Sequence, residues 1–147
     1  GQTISYSATV GTQPVWDAEG NVVATLNYTY YAKNGVKDLA HRPLTISFNG
    51  GPGSGSLWME IGYTGPTLLN MDEEGNPVQP YGLTKNPYSI IDVADICYVN
   101  PVTTGFSRAM EGVDGKQFYS LHSSSNFCHT LNSSSERNAL GSMAIMR

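Results

Sequence analysis

Leu44-Thr45-Ile46-Ser47 runs directly into Phe48-Asn49-Gly50-Gly51-Pro52-Gly53-Ser54-Gly55-Ser56, an apolar strand-like segment broken by four glycines in six residues. Such a loop is neither helix interior nor strand. Glycine supplies positive φ and lets other groups approach the backbone, while proline fixes φ and removes a donor. A strand ending in this way presents several N–H groups at one point, which suits a carboxylate or an oxyanion. Beyond the loop, Leu57 to Ile61 reads as one or two helical turns capped by Ser54 or Ser56.

Working outward, the first third of the chain reads as antiparallel strands. Val22, Ala24, Leu26, Tyr28 and Tyr30 alternate with Val23, Thr25, Asn27 and Thr29. That period of two, in aromatic and β-branched residues, predicts a half-buried strand over Val22 to Tyr30. Thr3 to Val10 alternates more weakly, and Asp17-Ala18-Glu19-Gly20-Asn21 supplies turn residues between the two. Asp95 to Asn100 is apolar without alternation, as expected of a strand covered on both faces. Gly62 to Tyr81 reads as irregular, with Glu74-Gly75-Asn76-Pro77 its clearest turn. From Ser120 to Ser135 seven serines and few charges leave little to bury, which predicts a poorly ordered tail over 120–147.

The 147 residues carry a net charge of −4 with only 14% charged side chains. No basic footprint points to nucleic acid. No apolar run reaches the roughly 18 residues of a membrane helix. The chain opens on Gly1 without Met, so it is expected to be processed or a fragment. Cys97 and Cys128 are too few for a disulfide framework and lack zinc-site spacing, and the histidines His41, His122 and His129 are scattered. Neither a metal nor a cofactor is expected. Asn27-Tyr28-Thr29 and Asn132-Ser133-Ser134 have the form of N-glycosylation acceptors.

Two blocks together resemble the serine carboxypeptidase family, whose fold is the α/β-hydrolase fold. Asn49 to Ser56 matches the family's N-G-G-P-G-x-S-S loop. Asn86 to Ala109, N-P-Y-S-I-I-D-V-A-D-I-C-Y-V-N-P-V-T-T-G-F-S-R-A, resembles its second motif, with Gly65-Pro66 between the two as in the family. The resemblance covers roughly Thr3 to Tyr119, so residues 1–119 are expected to be the N-terminal part of such a domain, ended by a foreign tail. It implies antiparallel strands leading into a mixed, mostly parallel and incomplete sheet. It implies hydrolysis of C-terminal peptide bonds through an acyl-enzyme, with peptide or protein C-termini as substrate. An acyltransferase or esterase, and a non-catalytic isoform, are the alternatives. A secreted, periplasmic or lysosome-like location goes with the family.

Carried over residue by residue, the resemblance makes the Gly51 N–H an oxyanion-hole donor. It makes the Asn49 side chain and the Gly50 N–H the binders of the substrate's terminal carboxylate. The family's glutamate for that carboxylate falls at Tyr63, so either Tyr63 donates through its hydroxyl, or Glu60 reaches in, or C-terminal selectivity is altered. Asn100 replaces a family aspartate, and Thr103 replaces the first glycine of G-T-G. The G-E-S-Y-G nucleophile elbow, and the acid and histidine that follow it in the family, are absent from the sequence. Gly105-Phe106-Ser107-Arg108-Ala109 has the outline of an elbow, but Asn100 to Thr104 intervene between it and the buried strand, and Ser107 reads as structural. Alone, the chain is expected to be inactive and poorly soluble.

Overall fold

The structure, a computed structural model, describes residues 3–50 and 53–119. Its centre is a sheet of β1 (Tyr6–Trp16), β2 (Val22–Lys33), β3 (Leu44–Ser47), β6 (Asp95–Val99) and β7 (Arg108–Ala109), ordered β1-β2-β6-β3 with β7 also pairing β2. A separate ribbon pairs β4 (Thr67–Leu69) with β5 (Leu83–Lys85). Helix is scarce: α1 (Leu57–Met59) continues into a π-helical turn over Glu60–Thr64, and short 3₁₀ turns cover Ile90–Asp92 and Gly115–Tyr119.

The alternation along β2 is realised. Ala24, Leu26, Tyr28 and Tyr30 are buried, and they pack with Val15 of β1 and with Cys97 and Val99 of β6. The register sets Tyr28 beside Val99 and Tyr30 beside Cys97 on that face. The other face carries Tyr31, Ile96 and Tyr98. β6 is buried at all five positions, as its unbroken apolar pattern predicts. Burial pushes the Cys97 thiol up to about 12, which leaves it a packing group and not a nucleophile.

Both long strands exceed their predicted limits. β1 continues to Trp16 through Pro14, which an edge strand tolerates because its outward side needs no ladder donor. Gly11 stands directly opposite Tyr28, and a Cβ there would strike the Tyr28 hydroxyl. The turn joining these strands is closed by the Asp17 carboxylate, which accepts the N–H of Asn21 at 2.7 Å and of Glu19 at 3.1 Å. Asp72 does the same for Asn76 at 2.7 Å, and a glycine with positive φ stands at the same place in each turn, Gly20 and Gly75. The Asn21 and Asn76 N–H groups hold the two carboxyls below the usual aspartate range.

Two expectations are corrected. The sheet is mixed, but among the described residues β3 and β6 form its one parallel pair, so it is not mostly parallel. A short turn can join β1 to β2 only antiparallel, whereas the β3–β6 crossover uses all of residues 48–94. Within that crossover, Gly62 to Tyr81 is not wholly irregular: β4 and an isolated Met71–Pro77 bridge order it. Three-residue strands are too short to show a period, which is why the pattern missed them. Residues 120–147, and with them His122, Cys128, His129 and Asn132, lie outside the described residues.

Thr103 has φ +74°, the single non-glycine residue with positive φ among those described. A β-branched side chain is unfavourable in this region, which accounts for the family glycine at the position. The loop keeps the conformation partly because the Thr103 hydroxyl donates to the Tyr119 hydroxyl at 3.1 Å. Strain of this kind costs about 1–3 kcal/mol, and an added glycine costs about 0.5–1 through the unfolded chain. Thr103→Gly is therefore expected to stabilise by about 1 kcal/mol in urea unfolding; a loss of stability would show that the hydroxyl contact outweighs the strain.

Candidate functional site

The glycine loop leaves the carboxyl end of β3 and returns at Ser56, where α1 starts. The sequence predicts Ser54 or Ser56 as the helix cap. Ser56 occupies the cap position, but its side chain makes no capping bond. Its hydroxyl instead donates to the Val99 carbonyl at 2.5 Å and accepts the Asn49 N–H at 3.1 Å. The reason is burial: Ser56 is 1% exposed against the end of β6, where Val99 lies beyond the last β3–β6 pair and its carbonyl needs a donor.

Asn49 and Gly50 stand at the loop's open side. The Gly50 N–H is exposed and donates to the Oδ1 of its own neighbour Asn49 at 3.0 Å. Asn49 Nδ2 reaches the Gly55 carbonyl at 3.4 Å, near the limit for a hydrogen bond. Gly51 and Pro52 lie outside the described residues.

The two candidates for the missing glutamate are separated by their surroundings. Tyr63 is exposed on the π-helical turn, and its carbonyl accepts Asn86 Nδ2 at 2.7 Å. Glu60 turns towards the sheet, where its Oε1 accepts the Tyr31 hydroxyl at 2.8 Å. Tyr31 meets Tyr98 edge-on at 6.0 Å, and the Tyr98 hydroxyl shares a 2.8 Å hydrogen bond with Thr64 Oγ1. Burial first, and then the Glu60 carboxylate, push the Tyr31 phenol well above its ordinary value; burial pushes Tyr98 up to about 12. Both phenols stay protonated and tie the α1 segment to this face of the sheet.

Beneath the loop lies a polar cluster that sequence reasoning did not assemble. Asn100 Oδ1 accepts the Ser56 N–H at 2.8 Å, and Asn100 Nδ2 donates to Asn27 Oδ1 at 2.9 Å. Asn27 Nδ2 donates in turn to the Gly11 carbonyl at 3.1 Å. Ser107 Oγ accepts the Asn27 N–H at 2.8 Å and donates to the Asn100 carbonyl at 2.6 Å. Ser107 is fully buried with its hydroxyl committed on both sides, so the elbow-like G-x-S-x-A stretch is structural. Asn27 is likewise held in the interior, and its position in an acceptor triplet does not make it a glycan site. The one available signal was Asn100 itself, the departure from the family aspartate.

His41 is exposed and meets Asp38 at 2.7 Å, apart from any serine of this cluster. Among the described residues, no three His, Cys, Asp or Glu side chains are grouped to hold a metal. No helix among them is long and apolar enough to cross a membrane.

The protein is built on a mixed sheet with few helices, and the glycine loop leaves the carboxyl end of a strand in its parallel pair, the position where ligands bind in open α/β sheets. The model of the serine carboxypeptidase family matches residues 19–133, and the chain belongs to that family. The match thus runs past Tyr119 into the serine-rich stretch. The chain is 33% identical over 104 residues to serine carboxypeptidase-like 36 of Arabidopsis thaliana, covering 70% of this chain and 20% of that protein. It is 35% identical over 86 residues to serine carboxypeptidase-like 37 of the same plant, covering 58% and 16%. Among solved structures it is similar to Kex1Δp, a prohormone-processing carboxypeptidase from Saccharomyces cerevisiae, with a TM-score of 0.55 and 25% identity over 74% of this chain and 22% of that one. The chain spans about a fifth of the length of these relatives.

Proposed function

We propose that this chain supplies the oxyanion and terminal-carboxylate subsites of a serine-type carboxypeptidase, which cleaves a C-terminal peptide bond through an acyl-enzyme. The observation that carries the reading is the exposed Gly50 N–H beside the Asn49 amide, two donors met by neutral acceptors from within the loop, the Asn49 one at the long distance of 3.4 Å. A substrate carboxylate displaces Asn49 Oδ1 from Gly50 and takes the Asn49 Nδ2 donor as well. Charge-assisted bonds of this kind are about twice as strong as the neutral bonds they replace. An internal peptide bond offers no carboxylate here, so the contact restricts cleavage to chain ends. The family resemblance assigns the Gly51 N–H to the oxyanion, where loss of one donor typically costs about 3–4 kcal/mol in the transition state. The elbow serine and its partners are not in this sequence, so for the chain alone the reading is binding without turnover.

Tyr63 supports a second reading. An exposed phenol in place of a carboxylic acid suits an acyl donor that carries no free carboxylate, as in an acyltransferase.

The test is calorimetric titration with N-acetyl-Ala-Phe as the free acid and as its amide. The acid is expected to bind at least about tenfold more tightly, matching the 1.5–3 kcal/mol of a charged hydrogen bond. Asn49→Ala is expected to erase the difference. Equal affinity for acid and amide in the unaltered chain would exclude the carboxylate subsite and favour the acyl-transfer reading.

A further inference from the structure

Asn49 must hold its amide in place for a carboxylate. Its side chain is met locally by the Gly55 carbonyl and the Gly50 N–H, and a hydrogen-bonded path ties its backbone to the sheet. The Asn49 N–H is held by Ser56 Oγ, and the Ser56 N–H is held by Asn100 Oδ1. Asn100 is oriented by Asn27, whose backbone carbonyl takes the Asn100 N–H at 2.9 Å and whose Oδ1 takes its side-chain amide. Asn27 is in turn oriented by Gly11 of the edge strand. The loops also fit closely: a Cβ on Gly55 would meet Asn100 Oδ1 at 3.3 Å, and one on Gly105 would meet the Asn100 amide at 2.7 Å. Every donor along the path faces an acceptor, so the orientation of each amide is determined by the next.

We propose that the Asn27–Asn100 amide pair is the positioning element of the carboxylate subsite, setting the Asn49 amide and the Gly50 N–H through Ser56. The proposal rests on the carboxylate reading of those two residues. Asn100 touches no substrate and is a positioning residue. The pair is chemically matched: an aspartate at 100 keeps an acceptor for the Ser56 N–H but loses the donor to Asn27 Oδ1. An alanine at 100 loses both.

This asymmetry separates positioning from mere stabilisation. Asn100→Ala and Asn100→Asp are both expected to be less stable than the parent chain. Affinity for N-acetyl-Ala-Phe as the free acid is expected to fall at least about tenfold in Asn100→Ala and to stay within about threefold in Asn100→Asp. Amide hydrogen exchange at Asn49 and Ser56 is expected to speed up at least about tenfold in Asn100→Ala only. Affinity and exchange that follow stability equally in both variants overturn the proposal. If the unaltered chain does not distinguish acid from amide, the carboxylate reading fails, and exchange at Asn49 and Ser56 still decides whether Asn100 anchors the loop. If Asn100→Ala does not fold, Ser56→Ala takes its place: it removes the acceptor of the Asn49 N–H together with the donor to the Val99 carbonyl, and an unchanged Asn49 exchange rate there overturns the proposal.

Discussion

Asp95→Ala is expected to lower the stability of the chain by about 3–5 kcal/mol, the cost of leaving a buried charge without its partner. Three donors converge on this carboxylate. Arg42 Nε donates to Oδ1 at 2.6 Å, the Lys33 N–H to Oδ1 at 3.1 Å, and the Tyr30 hydroxyl to Oδ2 at 3.0 Å. The side chains of Arg42 and Asp95 are 8% and 10% exposed, so solvent screens the pair little. The guanidinium also donates to the carbonyl of Ile91 at 2.6 Å, which ties the approach to β6 to the start of β3. Burial first, and then the Asp95 charge, push the Tyr30 phenol well above its ordinary value, so that hydroxyl remains a donor. Asp95→Asn is expected to lose less than alanine, because its Oδ1 still accepts from Arg42 and Lys33 while its NH₂ group can donate to the Tyr30 oxygen. Urea midpoints read both variants. A loss below about 1 kcal/mol would place the pair with ordinary surface ion pairs and refute the argument.

Ser107→Ala is expected to cost about 2–4 kcal/mol without touching any chemistry at this hydroxyl. The physical cause is a gap in the ladder. β2 pairs with β6 at residues 28–31 and with β7 at residues 24–25, and the chain leaves the sheet between Asn100 and Ser107. The Asn27 N–H falls in that gap and has Ser107 Oγ as its acceptor, while the same hydroxyl donates to the Asn100 carbonyl. Alanine leaves a buried donor and a buried acceptor unmet, each worth about 1–3 kcal/mol. A fluorophosphonate is expected to leave Ser107 unlabelled, since the residue has no exposure and its proton is engaged. A label mapped to Ser107 by mass spectrometry, or a Ser107→Ala variant as stable as the parent, would reverse this assignment.

Much of the scaffold was legible in the residues. β2 declared itself because one of its faces is buried, and that writes a period of two into Val22 to Tyr30. β6 declared itself because both of its faces are covered, and that removes the period. The small β4–β5 ribbon was not legible, because three residues hold too little of any pattern. The candidate site stood out through the resemblance of the Asn49 to Ser56 loop to the family motif, whereas the surroundings of Tyr63 and Glu60 depended on which way each side chain turns. Glu60 turns inward to Tyr31, and Tyr63 is left exposed.

By itself the sequence determined what is local: strand periodicity, the glycine break after β3, the turns at Asp17 to Asn21 and Glu74 to Pro77, and the motifs that mark the family. These follow from φ preferences and side-chain alternation, which neighbouring residues express together. Only the tertiary structure decided that Asn27, Ser56, Asn100 and Ser107 form one cluster, that Asn27 is an interior group, and that Ser107 is a ladder substitute. Asn27 and Asn100 are 73 positions apart, and Asn27 and Ser107 are 80. A hydrogen bond between such partners leaves no periodic trace in the chain, because it needs only one correctly placed polar atom on each side, and the sheet does the placing.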